Sequence, residues 1–412
     1  MASITAKQPR RKMILGPLSK RPLRLTLFKV IICLAILSLP LYSNYIFGYL
    51  PQESDYSNQS PKLSATWPLR RDTSRWCYLD NGVEKGLVYV KVPKAASSTL
   101  AGVNMRIARK VGERVLQKTN GLFLFFWKKQ SNHICSHTFK HGREFLLREQ
   151  KRAQFPQRRQ LDWLLWSFVR EPASRGISAF YHFQVSRKKQ WPTLGHLMNY
   201  LKEESSNFQF FYLAKHKTPQ DLVALDNQKH EYIVSRIQNY ILKEYHFLGI
   251  VERWTESLAV MILLWDLNIE DVIVMSSKLS GGYDDGRYKD GCIKIQQRQR
   301  GEEEDERFLT KYLNSTFRDE NKYDYILYEM ANKRLTATIE ALGADRVGEV
   351  QRKIEVLQNE VEGKCLDAAI FPCSKDGVWQ YKQSNKDCYW SDSGCGYPCV
   401  DRTLSKSDNI QN

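Results

Sequence analysis

The stretch VYVKVPKAASSTLAGV, Val88 to Val103, contains the residue types and spacing best suited to chemistry in this chain. A β-branched run leads into a polar loop with Lys94 and the hydroxyl residues Ser97 to Thr99, and a helical pattern follows. Free backbone N–H groups and the positive end of the helix dipole would converge there on a phosphate-like anion. The spacing G-x-x-x-x-G-K-[ST] of nucleoside triphosphatases is missing, because no glycine lies between Gly86 and Gly102. The stretch therefore predicts an anion site that differs from an ordinary ATP site.

A second segment, LLWSFVREPASRGISAFYHF from Leu164 to Phe183, has a similar layout. Arg170 ends an apolar run, Pro172 suits the first turn of a helix, and Ser178 lies about two turns further on. An arginine at a strand end can bind a phosphate through two N–H groups. Most such arginines form structural ion pairs instead, and Glu171 is the obvious partner. The presence of both segments in one chain favours the anion site.

Apolar runs alternate with helical patterns from Leu87 onward. The runs LVYVKV, LLWSFV, FLGIVE and DVIVMSS predict strands, with helices between and after them. This alternation predicts an α/β fold in which helices flank a parallel sheet and ligands bind at the carboxyl ends of the strands. A Gly- and Asp-rich loop, Ser276 to Gly291, follows the last run and could close over a nucleotide. A long helix is predicted from about Tyr323 to Leu342.

Four motifs resemble a known family. KVPKAASST is similar to the loop that holds the 5′-phosphosulfate in sulfotransferases, and VREPASRGISAFYHF is similar to their 3′-phosphate segment. LGIVERWTESLAVMILL and YDYILYEMANKRL resemble the GxxERxxESL and DxxLYxxA helices of the same family. From Leu87 to about Leu342, the chain resembles the Golgi membrane-bound carbohydrate sulfotransferases related to the heparan sulfate 2-O-sulfotransferases. The resemblance implies a P-loop-like three-layer α/β fold with a central parallel sheet flanked by helices.

The resemblance also implies a donor, 3′-phosphoadenosine 5′-phosphosulfate (PAPS), and no metal. Negative charge builds on the leaving phosphate as the sulfuryl group departs, so a cation at the bridging oxygen stabilises the transition state more than the ground state. Lys94 is the expected cation, and Arg170 with Ser178 would hold the 3′-phosphate. One hydroxyl of the first loop also suits the N-cap of the following helix. The predicted donor-binding residues are Lys94, Ala95, Ala96, Ser97, Ser98, Thr99, Arg170 and Ser178.

The acceptor hydroxyl must lose a proton during the attack, so a general base is expected near the sulfate. HICSHTFKHG contains three histidines, and the related heparan and dermatan 2-O-sulfotransferases use a histidine base. His137 is preferred and His141 comes second; a helix would place these two on one face. Each histidine of this segment is equally well explained as a surface or core residue. Glu171 and His182 are weaker candidates, because both belong to the donor segment.

The N-terminus predicts membrane attachment. Residues 1–29 contain eight Lys and Arg and no acid, within a chain of formal net charge +17. The next 21 residues, Val30 to Leu50, are uncharged and about long enough to cross a bilayer. The positive-inside rule then predicts a cytosolic tail, a type II signal-anchor in the Golgi membrane and a lumenal body. A cleaved signal peptide is the main alternative. Residues 51–75, rich in Ser, Pro and Gln, predict a stem.

Cysteine usage agrees with a lumenal body. Eight cysteines lie outside the predicted span, and this even number favours disulfides. A zinc site is disfavoured, because the C-terminal cysteines do not form two CxxC pairs and no histidine lies among them. Five of them fall in the last 48 residues, which predicts a small disulfide-rich C-terminal module. The predicted boundaries are 76–345 for the catalytic domain and 346–412 for a helix and the module. Asn314 begins NST, an acceptor for N-glycosylation.

The expected acceptor is a hydroxyl of a glycan or a related molecule. Basic segments, RKK at 187–189 and KRAQFPQRR from Lys151, could attract an acidic glycan or form a solvated positive face. Nucleic acid is a poor partner for a lumenal body. Two alternatives remain: a lumenal glycan-binding protein without catalysis, and a lumenal P-loop kinase. The kinase is disfavoured by the missing glycine-lysine spacing and by the lack of a clear metal-binding aspartate at a strand end.

Overall fold

The described residues belong to one compact unit, Leu63–Asn412. The predicted tail, membrane span and nearly all of the stem lie outside them, so these remain predictions. Among the residues that are described, no helix is both long enough and apolar enough to cross a bilayer. The computed structural model describes residues 66–68, 79–80, 83–118, 136–139, 162–204, 206–214, 231, 234–235, 237–278, 280–285, 291–381 and 388–408.

A five-stranded sheet forms the centre of the unit. Strands β3 and β4 pair in parallel with β2, β5 pairs in parallel with β4, and β1 runs antiparallel to the start of β2. Trp166 and Phe168 of β4 are fully buried, as expected for a parallel sheet covered on both faces. The predicted α/β fold with a central parallel sheet is confirmed. The strands are β1 Leu79–Asp80, β2 Val83–Val90, β3 Ser136–Phe139, β4 Asp162–Val169 and β5 Phe247–Ile250.

Helices flank this sheet, and each predicted helix is present. α1, α5, α8 and α9 contribute apolar side chains to the core that contains the strands, whereas α2, α3, α6 and α7 share a smaller apolar cluster. The helices are α1 Ser97–Lys118, α2 Pro172–Ala179 with its π-helical continuation Phe180–Arg187, α3 Leu194–Glu204, α4 Phe208–Leu213, the π-helix Ile237–Leu242, α5 Trp254–Trp265 after a 3-10 turn Val251–Arg253, the 3-10 turn Ile269–Asp271, α6 Glu303–Asn314, α7 Thr316–Glu320, α8 Lys322–Leu342, α9 Ala344–Cys365 and α10 Tyr397–Asp408.

One predicted strand is wrong. The run DVIVMSS is buried from Val272 to Met275, but within the described part of the chain it forms no strand. The side-chain amide of Gln358 in α9 donates to the carbonyl oxygen of Val274 at 2.8 Å. The run therefore packs under a helix, which satisfies its apolar side chains without a strand partner. An apolar run of this length reports burial and does not by itself specify a strand.

Disulfides join the C-terminal region to the rest of the unit, which confirms the prediction of a disulfide-rich C-terminal module. Cys292 is bonded to Cys373, and Cys365 is bonded to Cys399. Cys77 and Cys135 lie outside the described residues. The first bond links the module to a short antiparallel pair of strands, because Cys292 begins the strand Cys292–Lys294. The short strands are β6 Tyr283–Asp285, β7 Cys292–Lys294, β8 Cys388–Tyr389 and β9 Gly394–Cys395.

The C-terminal module packs against α1. A Cβ added to Gly102 would lie 2.6 Å from the Cβ of Ser393, so only glycine allows this close approach. The guanidinium of Arg106, fully buried in α1, lies 5.3 Å from the centre of the Tyr397 ring and donates to Asp401 at 2.9 Å. The module is therefore part of the framework that fixes α1 behind the loop after β2.

Candidate active site

A cavity of about 1110 Å³ opens at the carboxyl edge of β2 and β4. Its walls come from the loop after β2, the start of α1, α2 with its π-helical continuation, and the segment from Ser277 to Arg298. Among the described residues that line it, Asp284 is the one acid, against seven cations. This surplus of positive charge suits a ligand with several negative groups. The seven cations are Lys91, Lys94, Arg170, Arg187, Lys188, Lys278 and Arg298.

The loop after β2 has an unusual backbone. Lys94 and Ala96 have φ angles of 67° and 52°, in the left-handed region that non-glycine residues rarely adopt. Such backbone strain clusters at ligand-binding sites, and alternating hand lets neighbouring N–H groups form an anion-binding concavity. The backbone N–H of Ala95 is already used, because it donates to the carbonyl of Val92 at 3.2 Å. Ala95 is also buried and does not line the cavity.

Lys94 lies in the cavity, where its surroundings disfavour the charged form of its side chain. Burial lowers its pKa to about 8, Asp284 opposes this lowering, and the cations Arg170, Lys278 and Arg187 add to it. At neutral pH the ammonium is still mostly charged. A bound anion would favour the charged form further, because it would supply the counter-charge that the cavity lacks.

Arg170 follows β4 directly and lies beside the first loop. Its Nη1 donates to the carbonyl oxygen of Lys94 at 3.1 Å, which joins the two segments that the sequence singled out. The side chain of Gln209 fixes the backbone of Arg170, accepting from its N–H at 2.9 Å and donating to its carbonyl at 2.7 Å. Glu252 lies 3.9 Å from Arg170 Nε, so the acidic neighbour of the guanidinium comes from the turn after β5.

Glu171, the ion-pair partner considered for Arg170 from the sequence, has another role. Its carboxylate accepts from the backbone N–H groups of Ala173 and Ser174 at 3.0 and 2.6 Å and so caps α2. The hydroxyl of Tyr325 also donates to it at 2.9 Å. Ser178, in the second turn of α2, lines the cavity.

Another part of the cavity wall contains a charged cluster that the sequence did not reveal. Asp284 of β6 is buried and forms ion pairs with Lys278 at 2.8 Å and Arg187 at 2.8 Å. Its Oδ2 also lies 3.5 Å from Nε2 of His182, which accepts a hydrogen bond from Arg187 Nε at 3.2 Å. Burial and then the charge of Lys94 lower the pKa of His182 to about 3, so this imidazole is neutral at physiological pH.

Comparison with protein families identifies the chain. The profile of the sulfotransferase family matches residues 83–329, which is more than half of the sequence and runs from β2 into α8. The chain belongs to the sulfotransferase family. No curated protein and no solved structure matches it significantly. The family match includes both predicted anion segments and the Asp284 cluster, and it confirms the resemblance to sulfotransferases.

The sulfotransferase cavity brings together seven of the eight predicted donor-binding residues, all except Ala95. It adds polar groups that are ready for a ligand. Ser277 is buried at the cavity wall, and its hydroxyl has no hydrogen-bond partner among the described residues. The same holds for Nδ1 of His182, within the part of the chain that the structure describes. The loop from Ser276 to Gly291 was the sequence signal for this wall.

The predicted base segment is only partly described. His137 lies in β3, where its backbone is opposite Val88 of β2, so the condition for aligning His137 with His141 on one helix face is not met at this position. A four-residue β strand adds to the sheet here, and side chains of a strand alternate with a period of two. His133 and His141 lie outside the described residues, and the choice of base remains a prediction.

Proposed function

We propose that this sulfotransferase moves the sulfuryl group of PAPS to a hydroxyl of a glycan or related acceptor. The observation that carries the proposal is the hydrogen bond between Arg170 and the carbonyl of Lys94 at 3.1 Å. Two anion-binding segments, distant in sequence, therefore line one cationic cavity, as a ligand with separate phosphate and phosphosulfate groups requires. The cavity volume of about 1110 Å³ exceeds the range of roughly 300–1,000 Å³ typical of one small ligand, which leaves room for an acceptor group.

The cavity residues would divide the donor between them. The loop from Lys94 to Thr99 would bind the 5′-phosphosulfate through its side chains and backbone N–H groups. Arg170 and Ser178 would bind the 3′-phosphate, which distinguishes PAPS from ADP. The hydroxyl of Ser277, which has no partner among the described residues, supports the binding of a polar ligand in this cavity. A buried polar atom without a hydrogen-bond partner lowers stability unless a ligand supplies one.

The transfer itself needs a cation and a base. The acceptor oxygen forms a new bond to sulfur as the bond between sulfur and the 5′-phosphate oxygen breaks, and its electron pair stays on that phosphate. Lys94 would neutralise the growing charge at this oxygen, and its burial strengthens the interaction. The acceptor proton would pass to a histidine, for which His137 and then His141 are the proposed candidates. His182 is a weaker base, because its lowered pKa reduces its affinity for a proton.

We also propose a place for this reaction. The basic residues 1–29 and the uncharged residues 30–50 support a type II protein of the Golgi membrane with a lumenal catalytic region. The disulfides Cys292–Cys373 and Cys365–Cys399 are consistent with an oxidising compartment. The basic cavity supports an acceptor that carries acidic groups.

A thermal-shift titration of the full chain in detergent tests the donor assignment. We expect adenosine 3′,5′-bisphosphate at a hundred times its Kd to stabilise the fold by about 2.7 kcal/mol and to raise the Tm by several degrees. ADP and Mg-ATP should shift it much less. Arg170→Ala and Ser178→Ala should weaken the bisphosphate response, whereas Arg318→Ala, on the exposed surface of α7, should retain it. A shift with Mg-ATP alone would favour the kinase, and no shift with any nucleotide would favour the binding protein.

A further inference from the structure

Asp284 adds a negative charge to a cavity that is otherwise suited to a polyanion. It is the one acid among the described residues that line the cavity, and it is only 3 % exposed. A carboxylate at this position repels a phosphosulfate. The effect of Asp284 on the cations around it must therefore compensate for this repulsion.

Three of the groups around the Asp284 carboxylate, Lys278, Arg187 and His182, line the same cavity. Lys278 also pairs with Asp285 at 2.6 Å. Lys278 Nζ lies 2.8 Å from one carboxylate oxygen, and Arg187 Nη2 lies 2.8 Å from the other. The backbone N–H of Asp285 donates to Asp284 at 2.8 Å, and His182 Nε2 lies 3.5 Å away. Two of the cavity's cations therefore share one buried carboxylate. These partners hold the pKa of Asp284 well below its ordinary value, against the effect of burial, so it is charged at any physiological pH.

The same carboxylate acts on Lys94. The charged groups that face Lys94 come from four elements: Arg170 after β4, Arg187 with neutral His182 in the π-helical segment, Lys278 in the loop before β6, and Asp284 in β6. Three of them are cations that oppose a charged Lys94, as does burial. Asp284 is the acid that opposes the lowering of the Lys94 pKa. Without it, these cations would repel one another across a site that is partly shielded from water.

The hairpin that carries Asp284 is fixed from outside the cavity. Cys292 in β7 is bonded to Cys373 of the C-terminal module. Gly377 packs directly on Tyr283, since an added Cβ would lie 2.5 Å from the Tyr283 ring. The carboxylate is thus held in place by the module, independently of any donor.

We propose that Asp284 is a positioning residue: it holds Arg187 and Lys278 at the cavity wall and keeps Lys94 charged before the donor binds. Three cations are then in place to bind the donor's phosphosulfate. This inference rests on the proposed function. One carboxylate balances only part of the positive charge of these cations, and the bound donor balances the rest. The attraction of the three cations for the donor outweighs the repulsion between Asp284 and the donor. Without the carboxylate, these cations would move apart or lose their charge.

The pH dependence of kcat/KM for the donor tests the proposal, because this ratio reports the ionisation of the free enzyme. The wild type should lose activity as pH rises through about 8, where Lys94 loses its charge. Asp284→Asn should move this alkaline limb to lower pH by roughly one unit or more, as expected on removal of a close opposite charge. At pH 7.5, a shift of one unit from about 8 should lower kcat/KM by about threefold, because the charged fraction of Lys94 falls by that factor.

Three further variants separate this effect from a loss of structure. Asp284→Glu keeps the charge and should keep the limb near its wild-type pH. Lys278→Gln removes a cation that opposes a charged Lys94 and should move the limb to higher pH, the reverse of Asp284→Asn. Asp319→Asn, which removes an exposed acid on α7, should leave the profile unchanged. If Asp284→Asn does not fold, the upward shift in Lys278→Gln carries the test.

The two possible failures give different results. An active wild type whose alkaline limb does not move in Asp284→Asn and Lys278→Gln would overturn the positioning role and leave the proposed function intact. A wild type that neither binds adenosine 3′,5′-bisphosphate nor turns over PAPS would overturn the proposed function, and the role of Asp284 with it.

Discussion

Replacing Lys94 by alanine removes the cation expected at the leaving phosphate. Burial lowers the pKa of Lys94 from 10.5 to about 8, which corresponds to a penalty of about 3 kcal/mol on its charged form. Negative charge that develops beside the ammonium in the transition state offsets this penalty. Three kcal/mol is about a hundredfold in rate, and loss of one such group from a water-excluded site typically costs roughly 10²–10³ in kcat. We therefore expect Lys94→Ala to lower kcat by this factor.

The assay is PAPS-dependent turnover at saturating donor, with the thermal response to adenosine 3′,5′-bisphosphate measured in parallel. Lys94→Ala should still bind the bisphosphate, because Arg170 and Ser178 remain. Lys94→Arg, if active, should lose the decline above pH 8, since a guanidinium stays charged. Lys353→Ala serves as the charge-matched control, because Lys353 pairs with Glu349 at 2.7 Å on the exposed side of α9. A kcat of Lys94→Ala within tenfold of the wild type would refute the assigned role.

Three other predictions concern the disulfide, the topology and the base. Replacing both Cys292 and Cys373 by serine should lower the unfolding free energy, measured in urea, by about 4 kcal/mol, because that bond closes a loop across 81 residues. The double variant should also raise the donor KM, because the hairpin with Asp284 loses its covalent link to the module. An unchanged KM would show that the bond is not needed for the site. Asn314, exposed at the end of α6, should carry a glycan in cells, and Asn314→Gln should abolish a glycosidase-sensitive shift in gel mobility; the absence of that shift in the wild type would argue against a lumenal body. His137→Ala and His141→Ala should be compared at saturating donor, where the true base should show a loss of roughly 10²–10⁴ in kcat; two near-normal variants would eliminate both.

The first anion segment was predictable because its chemistry is local. A β-branched strand, a polar loop and a helix start are adjacent in sequence, so Lys94 and the three hydroxyls after it had to lie at one edge of the sheet. Arg170 was predictable for the same reason, since it directly follows a strand. Ala95 shows the limit of this reasoning: it belongs to the motif, but its N–H group turns the loop by donating to Val92 and its side chain is buried.

The run DVIVMSS was misjudged as a strand, and the conformation of the histidine segment was left open. Hydrophobic periodicity over a few residues reports burial, and burial under α9 gives the same pattern as burial in a sheet. The segment with His137 could be helical by its spacing, but pairing with β2 made it a strand. Both outcomes depend on a partner that is far away in the sequence.

The sequence alone determined the α/β class, the family, the two anion segments and the presence of disulfides. Each of these is encoded in residues that are neighbours along the chain, or in counts that require no contact. The tertiary structure decided what lies around Lys94. Asp284 is 190 positions from Lys94 in the numbering, and it reaches the cavity because the module holds its hairpin through Cys373. Electrostatic energy depends on distance in space and on exclusion of water, and a linear sequence specifies neither for residues so far apart.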